Sequence, residues 1–351
     1  MKQILIPSGI LYNGDCIAGA KQYIEDCSID LIITDPPYGI QGDMLHHHYN
    51  RDERFVAQGY VEVSTDTYEE FSQAWITEAA RILRPGGSIY IVSGYTNLYH
   101  ILSALRKNDL VEINHIIWKY NFGVFTKKKY ISSHYHILYY EKKGGKRSFQ
   151  QEIRFGMSEK DENGGSYNYQ DREDVWNINR EFKPGKIKNK NELPSELLTK
   201  MMQYSSQEGD LVCDFFLGGF STAKVAIGLN RRIIGFEISK TIFEIKTKEI
   251  EAIIPGSMLN SLRTPVLTLP GRQGKRWSGK EREEVHKRYQ ELIHAGMPKK
   301  HAVSTLEKEF ERGKFSIARC LKEFISESKK SEDEIKSYEL EENMGADKCK
   351  Y

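Results

Sequence analysis

The chain has 351 residues, room for roughly two to three domains, and its 39% hydrophobic and 28% charged residues describe a globular protein. It contains no run of about 18 apolar residues, so no membrane span is expected. The net charge is only +2, but it is uneven: +6 over residues 111–150, +7 over 271–330 and −4 over 331–351. Two basic stretches on a near-neutral chain suggest a polyanion partner, with an ordinary lysine-rich surface as the alternative.

In chain order, the start MKQILIPSGILYNGD has no signal-peptide cleavage pattern, which points to the cytoplasm. Five scattered cysteines (16, 27, 213, 320, 349) without a CxxC pair disfavour both a disulfide framework and a zinc site. Residues 29–34 form a buried strand ended by Asp35-Pro36-Pro37. Residues 66–83 place Phe71, Trp75, Ala79 and Ile82 at helical spacing, and Arg84-Pro85-Gly86-Gly87 breaks that helix. A strand at 88–92, a helix at 96–107 and strands at 111–119 and 133–140 follow. Residues 141–190 read as an irregular, partly mobile insert. Regular patterning resumes with helix 195–206, strand 210–215, helix 221–229, strand 231–237 and helix 239–252. The alternation predicts an α/β fold with a largely parallel sheet. Residues 255–275 read as a linker, 276–330 as helical, and 331–351 as an acidic disordered tail.

Two places carry chemistry. Asp35-Pro36-Pro37-Tyr38 closes a strand, where open α/β sheets put their active sites. The prolines cannot donate hydrogen bonds but keep their carbonyl acceptors. An exposed carboxylate beside fixed carbonyls can accept hydrogens from an amino group, and Tyr38 offers a ring face to a planar base. A plain strand-ending turn is the alternative. The second place is Asp214-Phe-Phe-Leu-Gly218-Gly219-Phe220-Ser221 between a strand and a helix, with Glu237 ending the next strand. Glycines let a ligand approach the backbone and the acid can bind ribose hydroxyls. Without a GxGxxG or a P-loop lysine, a nucleoside lacking phosphates is the better match. A simple crossover is the alternative here.

Together these motifs resemble the S-adenosylmethionine-dependent amino-DNA methyltransferases. Asn13-Gly14-Asp15-Cys16 and the Asp30 to Tyr38 segment are similar to the family's N-terminal block, and 81–89 to its next helix and strand. Residues 116–119 and 134–139 resemble later strands. The Asp214 block resembles the cofactor loop, and 231–237 the acidic strand after it. The resemblance spans roughly residues 12–250. The amino-binding motif precedes the cofactor loop, as in the permuted beta group, many of whose members belong to restriction–modification systems. This resemblance implies a Rossmann-like methyltransferase sheet within residues 1–254, with 141–190 as the target-recognition insert. It implies that Asp35, Pro36, Pro37 and Tyr38 act on the base. It also implies a cofactor site of Asp15, Cys16, Asp35, Asp214, Phe216, Leu217, Gly218, Ser221, Glu237 and Ile238. Two departures stand out: Phe220 replaces a family glycine, adding bulk near the cofactor's methionine part, and Leu193 replaces a lysine. They motivate a rival reading as a catalytically inactive DNA-binding subunit.

The implied reaction methylates adenine N6 in duplex DNA, with the base flipped out of the stack. Cytosine N4 is the alternative, although enzymes of that type more often carry Ser or Thr in place of Asp35. Lys127, Lys128 and Lys129, flanked by Phe125 and Tyr130, read as phosphate contacts, or else as a solvated hairpin tip. In 276–330, Leu292, Val303, Leu306, Phe310, Ile317 and Leu321 form a candidate core. Lys314 to Lys322, with Lys314 and Arg319 as DNA contacts, would be the recognition helix of a helix-turn-helix. A bundle for homodimerisation or packing is the alternative. A cognate restriction endonuclease is a further expected partner. His46-His47-His48 cannot all face one ion, so no metal is expected.

Overall fold

The computed structural model describes residues 1–39, 63–121, 123, 127–181, 192–265 and 277–324. The chain divides into two compact units, Met1–Pro265 and Val266–Tyr351. The loop after Gly39, Phe125, residues 182–190 of the insert and the acidic tail lie outside the described residues. No helix among those described is long and apolar enough to cross a membrane.

Unit 1 is built on a nine-stranded sheet. Its strands are β1 (Lys2–Ile6), β2 (Gly9–Asn13), β3 (Ile29–Thr34), β4 (Leu83–Ser93), β5 (Leu110–Lys119), β6 (His134–Lys142), β7 (Val175–Asn177), β8 (Leu211–Asp214) and β9 (Arg232–Glu237). They lie in the order β1-β2-β9-β8-β3-β4-β6-β5-β7. The five central strands, β2 to β4 in that order, run parallel. The exceptions lie on either side of these: β1 and β2 form a hairpin, and β6 runs antiparallel to both β4 and β5. Consequently β5 points the same way as β3, and the β5–β6 loop rises from the same edge as the end of β3.

Both faces of the sheet are covered, which is why β3 reads as an apolar run apart from Asp30. Leu31 and Ile33 belong to one core, with side chains from α5 (Ser195–Ser205), α6 (Ser221–Gly228) and α7 (Lys240–Glu251). Ile29 and Ile32 belong to the other, with α1 (Cys16–Tyr23), α2 (Tyr68–Ile82) and α3 (Leu98–Arg106). Ile29 departs from strict alternation at the point where the β3–β4 register shifts, between Ile29 and Leu31. The chain leaves β3 towards β4 and leaves β8 towards β9, in opposite directions. A crevice therefore opens between the ends of β3 and β8.

The described part of the insert, up to residue 181, is irregular but anchored. It holds α4 (Tyr167–Asp171) and β7. Asp171 meets Arg154 at 2.9 Å and Lys200 at 3.4 Å, and accepts from the Tyr204 hydroxyl at 2.6 Å. Residues 255–265, the first half of the expected linker, pack on unit 1. The Met258 amide donates to the Gly228 carbonyl (2.8 Å), and Leu259 and Leu262 lie against the core. Arg263 pairs with Glu159 at 2.7 Å. Pro255 and Gly256, two of the residues behind the linker reading, stand in a turn here.

Unit 2 contains α8 (Gly279–His294), α9 (Lys299–Glu309) and α10 (314–324). Ser278 and Glu281 form a capping box that starts α8. Val285, Leu292, Ala302, Leu306, Ile317, Cys320 and Leu321 make its core, with Val303 and Phe310 partly buried against them.

Candidate active site

Thr34 ends β3 and Asp214 ends β8, and the Thr34 hydroxyl donates to Asp214 Oδ1 at 2.8 Å. The two motifs, 180 residues apart, therefore meet directly at the crevice. Asp35 follows Thr34. It is half-buried rather than exposed, because the Pro-Pro turn folds over the strand end. Burial pushes its carboxyl up to about 7, opposed by the Tyr38 hydroxyl and Arg180 and assisted by Asp214. Tyr38 donates its hydroxyl to Asp35 Oδ1 at 2.6 Å, and its ring lies 5.6 Å from that of Tyr135, tilted by 34°.

The turn's acceptors are unequally used. The Tyr68 hydroxyl donates to the Pro37 carbonyl at 2.8 Å. Asn97 donates to the carbonyls of Tyr38 at 2.7 Å and Gly39 at 3.2 Å, and Thr65 also donates to Gly39 at 2.8 Å. Among the described residues, no donor reaches the Pro36 carbonyl or Asp35 Oδ2. Among the described residues, these two adjacent acceptors at the strand end are therefore unengaged.

Beside them, Asp214 Oδ1 also accepts from the Phe216 amide at 3.0 Å, which fixes the start of the glycine turn. Glu237 is buried and clamps that turn: Oε2 accepts from the Gly218 amide at 2.9 Å and Oε1 from the Ser239 amide at 2.7 Å. Burial pushes Glu237 up to about 7, its two amide partners opposing. Gly218 has φ +48, a conformation glycine adopts without strain. β2 pairs with β9, so Gly14 and Asn13 donate to the Glu237 carbonyl at 3.0 and 2.8 Å. That contact brings Asp15 next to Glu237. Asp15 caps α1 by accepting from the Ala18 amide at 2.8 Å. Ser221 opens α6. Phe216 is half-buried and Ile238 is 53% exposed, leaving apolar surface next to these carboxylates. Cys16 and Leu217 are buried, and Leu217 packs on Gly235.

A family model of DNA methylases, the N6/N4 methyltransferases, matches residues 29–248. The chain belongs to this DNA methylase family. It is 30% identical over 244 residues to the type II methyltransferase M.HpaI of Haemophilus parainfluenzae, covering 68% of this chain and 73% of that one. It is 28% identical over 257 residues to M.HinfI of Haemophilus influenzae, covering 70% and 69%. Two solved structures share the fold at TM-score 0.50. TTHA0409 of Thermus thermophilus, complexed with S-adenosyl-L-methionine, is 23% identical and matches 70% of this chain and 94% of its own. The cytosine-N4-specific PvuII DNA methyltransferase is 14% identical over the same shares.

In this methylase Phe220 does not crowd the crevice. Its backbone is left-handed (φ +61), and its side chain is fully buried against Phe243 in the core. Leu193 is likewise a core residue. Lys127, Lys128 and Lys129 are exposed in the β5–β6 loop, and Tyr130 beside them is 98% exposed. In unit 2, Lys314 begins α10, whereas Arg319 is paired with Glu323 at 2.7 Å.

Several residues of the methylase's site carry no sequence signal. Tyr68 and Asn97 come from helical segments with no motif. Arg180, just past β7, lays its guanidinium 4.8 Å from the Tyr120 ring centre, 5.1 Å from Tyr135 and 5.8 Å from Trp118. An aromatic run at 118, 120 and 135 could have hinted at a box, but nothing in the spacing names its occupant.

Proposed function

We propose that this DNA methyltransferase is a site-specific, beta-group enzyme that transfers a methyl group from S-adenosylmethionine to adenine N6 in duplex DNA. The open pair of acceptors, Asp35 Oδ2 and the Pro36 carbonyl, carries the reading. An exocyclic amino group has two hydrogens and a lone pair delocalised into its ring. Accepting those hydrogens localises the pair on nitrogen, and fixed acceptors do this without reorganisation. The base must leave the stack to reach them, with the Tyr38 ring as its neighbour. Asp35, where cytosine-N4 enzymes more often carry Ser or Thr, favours adenine.

S-adenosylmethionine supplies an electrophilic sulfonium methyl when bound. The residues present fit it. Glu237 and Asp15 offer carboxylates to ribose and adenine, and Phe216 and Ile238 offer apolar surface. Asp214 and Glu237 shape the Gly218 turn through which the backbone would meet the methionine part. The order of the motifs, Asp35 before Gly218, supports the beta group. Lys127–Lys129 lie in a loop at the catalytic edge and suit phosphates. Lys314 and Arg319 of unit 2 would add contacts, Arg319 by exchanging Glu323 for phosphate. The relatives' type II names support a cytoplasmic restriction–modification role with a cognate endonuclease, and unit 2 could equally serve a homodimer.

Methylation-sensitive sequencing of DNA from cells expressing the chain tests this. N6-methyladenine at one recurring sequence is expected; N4-methylcytosine would transfer the same chemistry to the other base. Asp35→Ala should lower the rate about 10³-fold or more while cofactor binding persists. Near-normal turnover of that variant would remove Asp35 from the mechanism.

A further inference from the structure

Asp35 accepts amino hydrogens best while ionised, since protonation turns one of its oxygens into a donor, yet its burial favours the neutral acid. The groups that face it are Tyr38 from its own turn, Asp214 from β8, and Arg180 from the segment after β7. Tyr135 from β6 faces Tyr38 and Arg180 in turn. Asp214 carries a like charge, and the tyrosines carry none. Among the described residues, Arg180 is the single cation in this group.

Its seat is built. Trp118 stacks on Tyr135 (5.6 Å, 29°), Tyr120 lies 5.5 Å from Tyr135, and the guanidinium rests against all three rings. The strand that delivers it is pinned. β7 pairs with β5, the Trp118 indole donates to the Ile178 carbonyl at 2.8 Å, and the Ile178 amide donates to the Lys119 carbonyl at 3.1 Å. Guanidinium suits such a box, being weakly hydrated, planar and permanently charged. Its Nε is buried without a hydrogen-bond partner. Among the described residues, no carboxylate lies within ion-pair distance of it. The rings hold the cation without neutralising it, so its field is left to act on its neighbours.

We infer that Arg180 is a positioning residue of the reaction: held by the aromatic box of Trp118, Tyr120 and Tyr135, its charge favours the ionised, hydrogen-accepting form of Asp35. This rests on the reading of Asp35 as the amino acceptor. Tyr135 bridges the two: its ring lies 5.6 Å from that of Tyr38, which donates to Asp35 Oδ1, and 5.1 Å from the guanidinium, and among the described residues Arg180 makes no hydrogen bond to Oδ2, the oxygen the amino group needs. A direct Arg180–Asp35 ion pair would have blocked that oxygen.

The test uses the full chain, unmethylated genomic DNA and saturating radiolabelled S-adenosylmethionine. kcat/KM for DNA is followed from about pH 5 to 9.5, so that it reports the groups of the enzyme–cofactor complex. Arg180→Gln should move the acid limb up by about one pH unit and recover most of its rate at high pH. Arg180→Lys should restore the wild-type limb. An unmoved limb, with a KM for DNA that rises and loses its salt dependence, would make Arg180 a phosphate contact and overturn the inference. An equal loss at every pH would make its role structural and overturn it as well. Asp35→Asn separates the two readings. If it is inactive while Arg180→Gln leaves the limb in place, only the inference fails. If Asp35→Asn is fully active, the acceptor reading fails with it.

Discussion

Three carboxylates at the ends of strands, Asp35, Asp214 and Glu237, are all shifted towards the neutral acid by burial, to about 7, 6 and 7. An acid whose folded pKa lies above its unfolded value binds protons more tightly when folded. Its favourable share of stability is complete below about pH 4 and is lost as pH rises through the folded pKa. The cofactor-free protein should therefore melt at a lower temperature at about pH 8 than at about pH 5. Asp35→Asn, which still lets Tyr38 donate to an oxygen, should raise stability by up to a few kcal/mol at the higher pH and by less at the lower. Calorimetry at the two pH values measures both effects, and an unchanged pH dependence in the variant would show that Asp35 does not titrate near neutrality. Glu237 has a double task. Glu237→Ala should weaken S-adenosylmethionine binding by about 1.5–3 kcal/mol in titration calorimetry. It should also lower the melting temperature, since the amides of Gly218 and Ser239 lose their acceptor. DNA affinity without cofactor should hold; a fall in all three together would reduce Glu237 to a structural clamp.

Among the elements, the strands and helices around the crevice were legible because each carries its own period. Ile29–Thr34 reads as buried on both faces, and Phe71, Trp75, Ala79 and Ile82 mark one helical stripe. The turns were legible as chemistry for the same local reason, with Asp35 and Asp214 each ending an apolar run. What stayed hidden depends on partners remote in sequence. Nothing near Tyr68 or Asn97 says that they bind the carbonyls of residues 37–39, and nothing near Arg180 says that it lies on aromatic rings from β5 and β6. The direction of Phe220 was hidden too, since its place in the sequence gives no side-chain direction. Its left-handed backbone costs about 1–2 kcal/mol, while its buried ring contributes about 3–5 kcal/mol. Phe220→Gly should therefore destabilise the protein by about 1–4 kcal/mol, although it restores the family's residue. A urea midpoint that rises in this variant would mean that backbone strain outweighs packing.

At the scale of the whole chain, the two cores that flank the sheet and the described residues of the crevice lie within Met1–Pro265. A chain ended at Pro265 should keep its catalytic constants at saturating DNA. If unit 2 touches duplex phosphates, the shortened chain should bind more weakly, with a salt slope reduced by about 0.9 for each phosphate that unit 2 had neutralised. Salt titrations of both chains measure this. Coincident slopes, with a dimer that falls apart on shortening, would assign unit 2 to assembly. Within unit 1, the hydrogen bond from Thr34 to Asp214 joins the turn that would receive the base to the turn that would receive the cofactor. Neither strand end can shift without straining that bond, so the two halves of the crevice form one thermodynamic system. Any preference that one occupant shows for a loaded enzyme must be returned in equal measure by the other, because linkage between two binding sites is reciprocal.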